Sequence, residues 1–123
     1  MKNIEAAKEL LERYKSITLE ELEQKYKSHP DYSGKQIMQT FTDFGTVDCI
    51  LCKSVSCVCS KCIYSFRHED PFIQCMDIIY REMAKSTSAE ELFNAIQKRI
   101  SYLTHVIEWY ETMDKEYSSK YYQ

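Results

Sequence analysis

Two Cys-x-x-Cys pairs, Cys49-Ile50-Leu51-Cys52 and Cys59-Ser60-Lys61-Cys62, stand six residues apart in this chain. One turn of backbone between the members of such a pair aims two thiolates at one ion, and two pairs complete the tetrahedral set of a structural zinc site. The segment between the pairs reaches ~20 Å when extended, so closing both pairs on one ion is geometrically easy. It is shorter than the ~15–20 residues usual between the pairs of a zinc ribbon. The chain has six cysteines, more than one zinc uses. Cys75 falls in the first turns of an expected helix, where the helix dipole favours a thiolate and ligation would tie the loop to the helices. It serves equally well as a small apolar side chain on a stripe with Phe72 and Ile79. Cys57 reads as a spare thiol at the loop tip. His68, six residues after Cys62, is a substitute ligand on chemical grounds, though a solvated loop histidine explains it as simply. His29 and His105 read as surface residues.

Inert buried thiols explain the pattern poorly, because two paired motifs flank a stretch without amphipathic period. A thioredoxin-like redox role needs Cys-x-x-Cys beside a strand and helix of a βαβ unit, which the surrounding residues do not suggest. An iron–sulfur cluster also takes four cysteines, but neither of its usual runs is present, so it stands as the minor alternative to zinc. No nucleophile elbow, HExxH, phosphate-binding glycine loop or deaminase signature occurs, and a four-thiolate zinc leaves no position for substrate. The expectation is a protein that is not an enzyme.

A chain of 123 residues fits one domain. Glycine and proline occur only twice each, scarce punctuation for a fold of many strands and turns, so a helical architecture is favoured. The net charge of −3 is interleaved along the chain, which disfavours non-specific binding to a duplex. The first residues lack the apolar stretch of a signal peptide and no run approaches the ~20 apolar residues of a membrane span, so a cytoplasmic location is expected. Thiols stay reduced there, which favours metal over disulfides.

The elements that must position the cysteines follow from periodicity. Ile4, Ala7, Leu11 and Tyr14 predict an amphipathic helix ending near Ser16. Thr18 with Glu21 forms a capping box and Ile17 with Leu22 a hydrophobic staple, predicting a second helix from Leu19 to about Ser28, stopped by His29-Pro30. A loop through Ser33 and Gly34 then leads to a short third helix carrying Ile37, Met38 and Phe41, with Gly45 as its stop. Asp43-Phe44-Gly45 is thus a helix end and not a kinase signature. Asp70 and Pro71 predict the start of a fourth helix, with Phe72, Cys75, Met76, Ile79 and Met83 on one face and an end near Lys85. Ser88 and Glu91 form another capping box for a long last helix with Leu92, Ile96, Ile100, Leu103, Ile107, Tyr110, Met113 and Tyr117 on its apolar face. From Ser118 onward fraying is expected.

The fold expected is therefore mainly α, a small helical bundle with a cysteine-rich, zinc-knuckle-like metal loop inserted before the last two helices. It forms a single domain over 1–123, with N-terminal helices in 1–45, the metal loop in 46–69 and two C-terminal helices in 70–118. Tyr102, Trp109, Tyr110, Tyr117, Tyr121 and Tyr122 are residue types that anchor protein interfaces when exposed. The seven-residue interval of Ile96, Leu103, Tyr110 and Tyr117 would support a homodimer through the last helix, although Arg99 on the alternate seam weakens a strict coiled coil. Lys53, Lys61 and Arg67 beside Tyr64 and Phe66 would suit single-stranded nucleic acid or a nucleotide, but three cations make a weak footprint. A protein partner is the favoured expectation, with no membrane.

The order Thr18-Leu19-Glu20-Glu21, Phe44-Gly45, Cys49-Ile50-Leu51-Cys52, Cys59-Ser60-Lys61-Cys62-Ile63-Tyr64, Cys75 and Glu91-Leu92-x-x-Ala95-Ile96 resembles that of small helical cysteine-motif proteins of bacteriophages and prophages. The likeness covers the chain from about Thr18 to Leu103 and carries no activity with it. It implies a phage or prophage origin and a five-cysteine set, Cys49, Cys52, Cys59, Cys62 and Cys75, from which one zinc takes four. Cys57 departs from that pattern. An inhibitor of a host or defence protein would fit such an origin.

Overall fold

The computed structural model describes residues 4–42, 44, 51 and 78–121, the last nine of these by backbone alone. Among them the chain is mainly helical and holds no strand. The helices are α1 (Ile4–Lys15), α2 (Leu19–Ser28), α3 (Gly34–Met38), α4 (Ile78–Lys85) and α5 (Ala89–Tyr121).

Helix α1 buries Ile4, Ala7, Leu10, Leu11 and Tyr14 and leaves Glu5, Glu9, Glu12 and Arg13 exposed, the division that a 3.6-residue period requires. Ser16 ends it, with its Oγ donating to the Arg13 carbonyl at 2.7 Å. Helix α2 has the bounds that its signals predict. Thr18 Oγ1 accepts from the Glu21 N–H at 3.1 Å while Glu21 Oε1 accepts from the Thr18 N–H at 3.2 Å, so two N–H groups without helical partners are satisfied reciprocally. The staple residues Ile17 and Leu22 are both in the core. His29 closes the helix, its N–H bonding the Lys25 carbonyl at 2.9 Å and its ring stacking on Tyr32 at 4.2 Å.

The third helix departs from expectation at both ends. Gly34 is its first residue and not part of a loop, with Ser33 as N-cap and Gln36 Oε1 accepting from the Ser33 N–H at 3.0 Å. The helix stops at Met38, short of Phe41, because the chain tightens into successive turns in which the Phe41 and Thr42 N–H groups share the Met38 carbonyl. Gly45, the expected stop, lies outside the described residues. So do Asp70, Pro71 and the first part of the stripe ahead of α4, whose end at Lys85 matches the sequence pattern.

Helix α5 is 33 residues long, about 50 Å at the α-helical rise, and forms the spine. Helices α1, α2 and α4 pack along it, and α3 wedges against α4 and α2. Its cap differs in one detail from the reciprocal box. Ser88 Oγ accepts from the Glu91 N–H at 3.2 Å, but the Glu91 carboxylate reaches back past Ser88 to the Thr87 N–H, also at 3.2 Å. The helix continues through Ser118 to Tyr121, where fraying is expected from the pattern, since no glycine or proline interrupts its hydrogen-bond ladder there. Of the predicted apolar face, Leu92, Ile96, Leu103 and Ile107 are buried and Ile100 and Tyr110 half-buried. No helix among the described residues is long and apolar enough to cross a membrane.

The connections between helices are polar and specific. The Ser86 carbonyl, just past α4, accepts both the Gly34 N–H at 2.9 Å and the Tyr26 hydroxyl at 3.0 Å. That single acceptor joins α2 and α3 to the α4–α5 turn. Burial of the Tyr26 ring, with the Glu91 carboxylate nearby, pushes its hydroxyl pKa up to about 12. Lys98 pairs with Glu82 at 2.8 Å across the α4–α5 hairpin, and Lys8 with Glu111 at 3.4 Å between α1 and α5. Both pairs are solvated and contribute little stability.

Candidate metal centre

The expected ligands Cys49, Cys52, Cys59, Cys62 and Cys75, together with Cys57 and His68, lie outside the described residues, as do Lys53, Lys61, Arg67, Tyr64 and Phe66. Two described residues, Phe44 and Leu51, stand before and within the first cysteine pair in sequence. Phe44, five positions before Cys49, is 2% exposed, and Leu51, inside the pair Cys49-Ile50-Leu51-Cys52, is 3% exposed; both belong to the hydrophobic core.

Phe44 is held from several sides. Its ring stacks on Tyr80 of α4 at 4.8 Å, tilted by 19°, within the offset-stacked range for aromatic pairs. Its carbonyl accepts from Gln39 Nε2 at 3.1 Å. Above it lies the guanidinium of Arg99 from α5, 5.3 Å from the Phe44 ring centre and 5.7 Å from that of Tyr14 on α1. Arg99 Nη1 also donates to Met83 Sδ at 3.6 Å. The arginine is only 5% exposed, so its cation–π contacts act in a poorly solvated setting where they are strongest. Leu92, Ile96, Arg99, Leu103 and Val106 alternate steps of four and three along α5, and all are buried. Arg99 therefore occupies the seam between helices, and what it weakens in a two-stranded coiled coil it supplies here as a cap over two aromatic rings.

Sequence reasoning places Ile79 and Met83 on the inner face of α4 and passes over Tyr80, Phe44 and Arg99 as supports. For Tyr80 the signal exists, since Met76, Tyr80 and Met83 keep helical spacing. Phe44 and Arg99 meet only through tertiary structure. Ile78 is 71% exposed at the described start of α4.

Elsewhere, His105 is exposed and His29 half-buried in its stack with Tyr32. Among the described residues no group of three or more histidine, cysteine or acidic side chains is arranged to hold a metal. An open groove of about 330 Å³ runs between α4 and α5, lined by Glu82, Lys85, Ser86, Glu91, Asn94 and Lys98. Its charges are mixed, and the ion pair of Lys98 with Glu82 occupies part of it. The interval that would support a dimer is partly consumed inside the chain, because Ile96 and Leu103 are fully buried. Tyr102, Trp109 and Tyr110 are half-buried against the core, Trp109 meeting Tyr110 edge-on at 4.9 Å.

Comparison with known proteins returned no match to a family model, a curated protein or a solved structure.

Proposed function

We propose that this chain is a non-catalytic protein-interaction module stabilised by one zinc ion, bound by four of Cys49, Cys52, Cys59, Cys62 and Cys75. The observation that carries the reading is the doubled Cys-x-x-Cys motif, whose first pair encloses a core residue, Leu51. Thiolates are the soft donors that zinc takes in closed structural sites, and four of them leave no open coordination position for chemistry. Such a site supplies folding free energy of ~10–16 kcal/mol in small peptides, enough to order a segment that has neither helical nor strand periodicity. The helical bundle then serves as a scaffold for docking a protein partner in a reducing compartment, where thiols persist. The phage-like order of motifs supports a partner among host or defence proteins, with this chain as the inhibitor.

Elemental analysis and an absorption spectrum on protein purified without added metal test the site. One zinc per chain and no visible colour is the expected result, whereas brown material would replace zinc with an iron–sulfur cluster. Titration with single-stranded RNA and DNA at increasing salt tests the partner class. Salt-sensitive binding to these oligonucleotides would overturn the protein-interaction reading in favour of a nucleic-acid module.

A further inference from the structure

Helices α1 and α2 lie end to end along the spine. Lys8 pairs with Glu111 and the Tyr14 ring lies under Arg99, so residue numbers rise along α1 as they fall along α5. The Tyr26 hydroxyl on the Ser86 carbonyl carries α2 on in the same direction, to the start of α5. Among the described helices α1 packs chiefly on α5, over the stretch from Arg99 to Glu111 that holds the buried Leu103, Val106 and Ile107, while α2 packs on both α5 and α3.

The two helices are also held differently. Tyr26 ties α2 to the α4–α5 turn, and the box of Thr18 and Glu21 is closed within α2, with Ile17 in the core just ahead of it. Helix α2 therefore keeps its start whether or not α1 is in place. Helix α1 joins the spine through the burial of Ile4, Ala7, Leu10, Leu11 and Tyr14, the ring contact with Arg99 and the solvated pair of Lys8 with Glu111. A helix of 12 residues is marginal by itself in water, so α1 is helical because it is docked and melts when it leaves. Elements docked on few neighbours open at less cost than the whole domain.

We infer that α1 is a detachable arm, and that the seat it leaves on α5 between Arg99 and Glu111 is a groove for an amphipathic helix of the protein partner. The inference rests on the protein-interaction half of the reading above and is independent of the metal. The present occupant states what fits: apolar side chains at i, i+3, i+6, i+7 and i+10, the last of them aromatic to lie under Arg99, with a cation at i+4 to face Glu111. Because α1 competes from within the same chain, a foreign helix binds only those molecules whose arm is open, and its apparent affinity falls by that fraction. Whatever loosens α1 without touching the seat therefore tightens the partner.

The test uses the full chain. Native-state hydrogen exchange should show the α1 amides opening together, about a hundredfold or more faster than those of α5 around Leu103. A fluorescent synthetic peptide of residues 1–16 stands in for the partner helix and is titrated against the protein by anisotropy. Leu10→Ala in the protein should tighten the peptide about tenfold or more, whereas Leu10→Ala in the peptide should weaken it by as much. Ile37→Val, in the core at α3, should leave the affinity unchanged. Should the Leu10→Ala protein fail to fold, Lys8→Glu, which sets a carboxylate against Glu111, should tighten the peptide a few-fold in the same way. Amides of α1 that exchange only as fast as those of α5 overturn the arm, and a peptide whose affinity ignores Leu10 on both sides overturns the seat. A concentration-dependent dimer in which α1 of one copy cross-links to α5 of the other overturns the foreign helix in favour of a second copy. Salt-sensitive oligonucleotide binding would strike the protein-interaction reading itself, and with it the partner, while separate exchange of α1 would still establish the arm.

Discussion

Substituting Gly34 by alanine sets helix propensity against tertiary packing, and the two predict opposite signs. Gly34 is the first residue of α3, and alanine is favoured over glycine in helices by up to ~1 kcal/mol. A gain in stability would follow if only local structure mattered. A Cβ at this position, however, would overlap the Met83 carbonyl oxygen and lie 3.1 Å from the Ser86 Cβ. An ordinary contact between carbon and a carbonyl oxygen is ~3.3–3.6 Å, so α3 and α4 must separate by on the order of an ångström. The obstacle is backbone, which cannot swing aside as a long side chain would. Separation on that scale breaks the 2.9 Å bond from the Gly34 N–H to the Ser86 carbonyl and loosens Ile37 and Met38 in the core. Overpacking costs about 1–3 kcal/mol and the lost hydrogen bond about 1 kcal/mol, against at most ~1 kcal/mol from propensity. The net expectation is a loss of about 1–3 kcal/mol, or roughly 4–12 °C in the midpoint for a chain of this size. Thermal and urea denaturation at fixed zinc concentration measure it, with exposed Lys35→Ala on the same helix as the control. A Gly34→Ala protein as stable as wild type, or more so, would refute the close approach of α3 to α4.

Thr18→Ala removes the side-chain half of the cap on α2 and should cost about 1 kcal/mol, visible as a lower urea midpoint with unchanged slope. Arg99→Lys keeps the charge but loses the planar group lying over Phe44 and Tyr14; a loss of about 2 kcal/mol in urea unfolding is expected, and an unchanged midpoint would show that the rings gain nothing from the guanidinium. Tyr26 is ionised less readily when folded than when unfolded, its pKa moving from 10.0 to about 12. Its contribution to stability is therefore complete below pH 10 and is lost as pH rises toward 12, so unfolding free energy should decline across that window more steeply for wild type than for Tyr26→Phe. The same variant at neutral pH should lose about 1 kcal/mol with the hydrogen bond to the Ser86 carbonyl, checked by thermal melting.

Much of the helical order is legible in the sequence because its causes are local. Thr18, Glu21, Ile17 and Leu22 lie within one and a half turns of each other, and the contacts they make are those their spacing predicts. The same holds for Ser88 with Glu91, where only the final reach of the carboxylate, to Thr87 instead of Ser88, escapes a fixed motif. Gly34 misleads for the opposite reason. In isolation a glycine after serine signals a loop, and nothing nearby in sequence announces that a neighbouring helix needs the space a Cβ would fill. For the candidate metal centre, the donor set is legible as spacing alone, whereas the burial of Phe44 and Leu51, its neighbours in sequence, is not.

By itself the sequence determined a predominantly helical chain, the bounds of α2, the ends of α1 and α4, and a cysteine pattern suited to a tetrahedral metal. These follow from interactions over a few residues, whose geometry the backbone dictates. The tertiary structure decided that Ser86 would serve as a shared acceptor for Tyr26, sixty positions away, and for Gly34. It also decided that Arg99 would be buried over Tyr14 and Phe44 and that Leu51 would be a core residue. Each of these depends on which helix faces meet once α1, α2 and α4 have packed on α5, a choice made by the summed burial of many side chains and recorded in no short stretch of the chain.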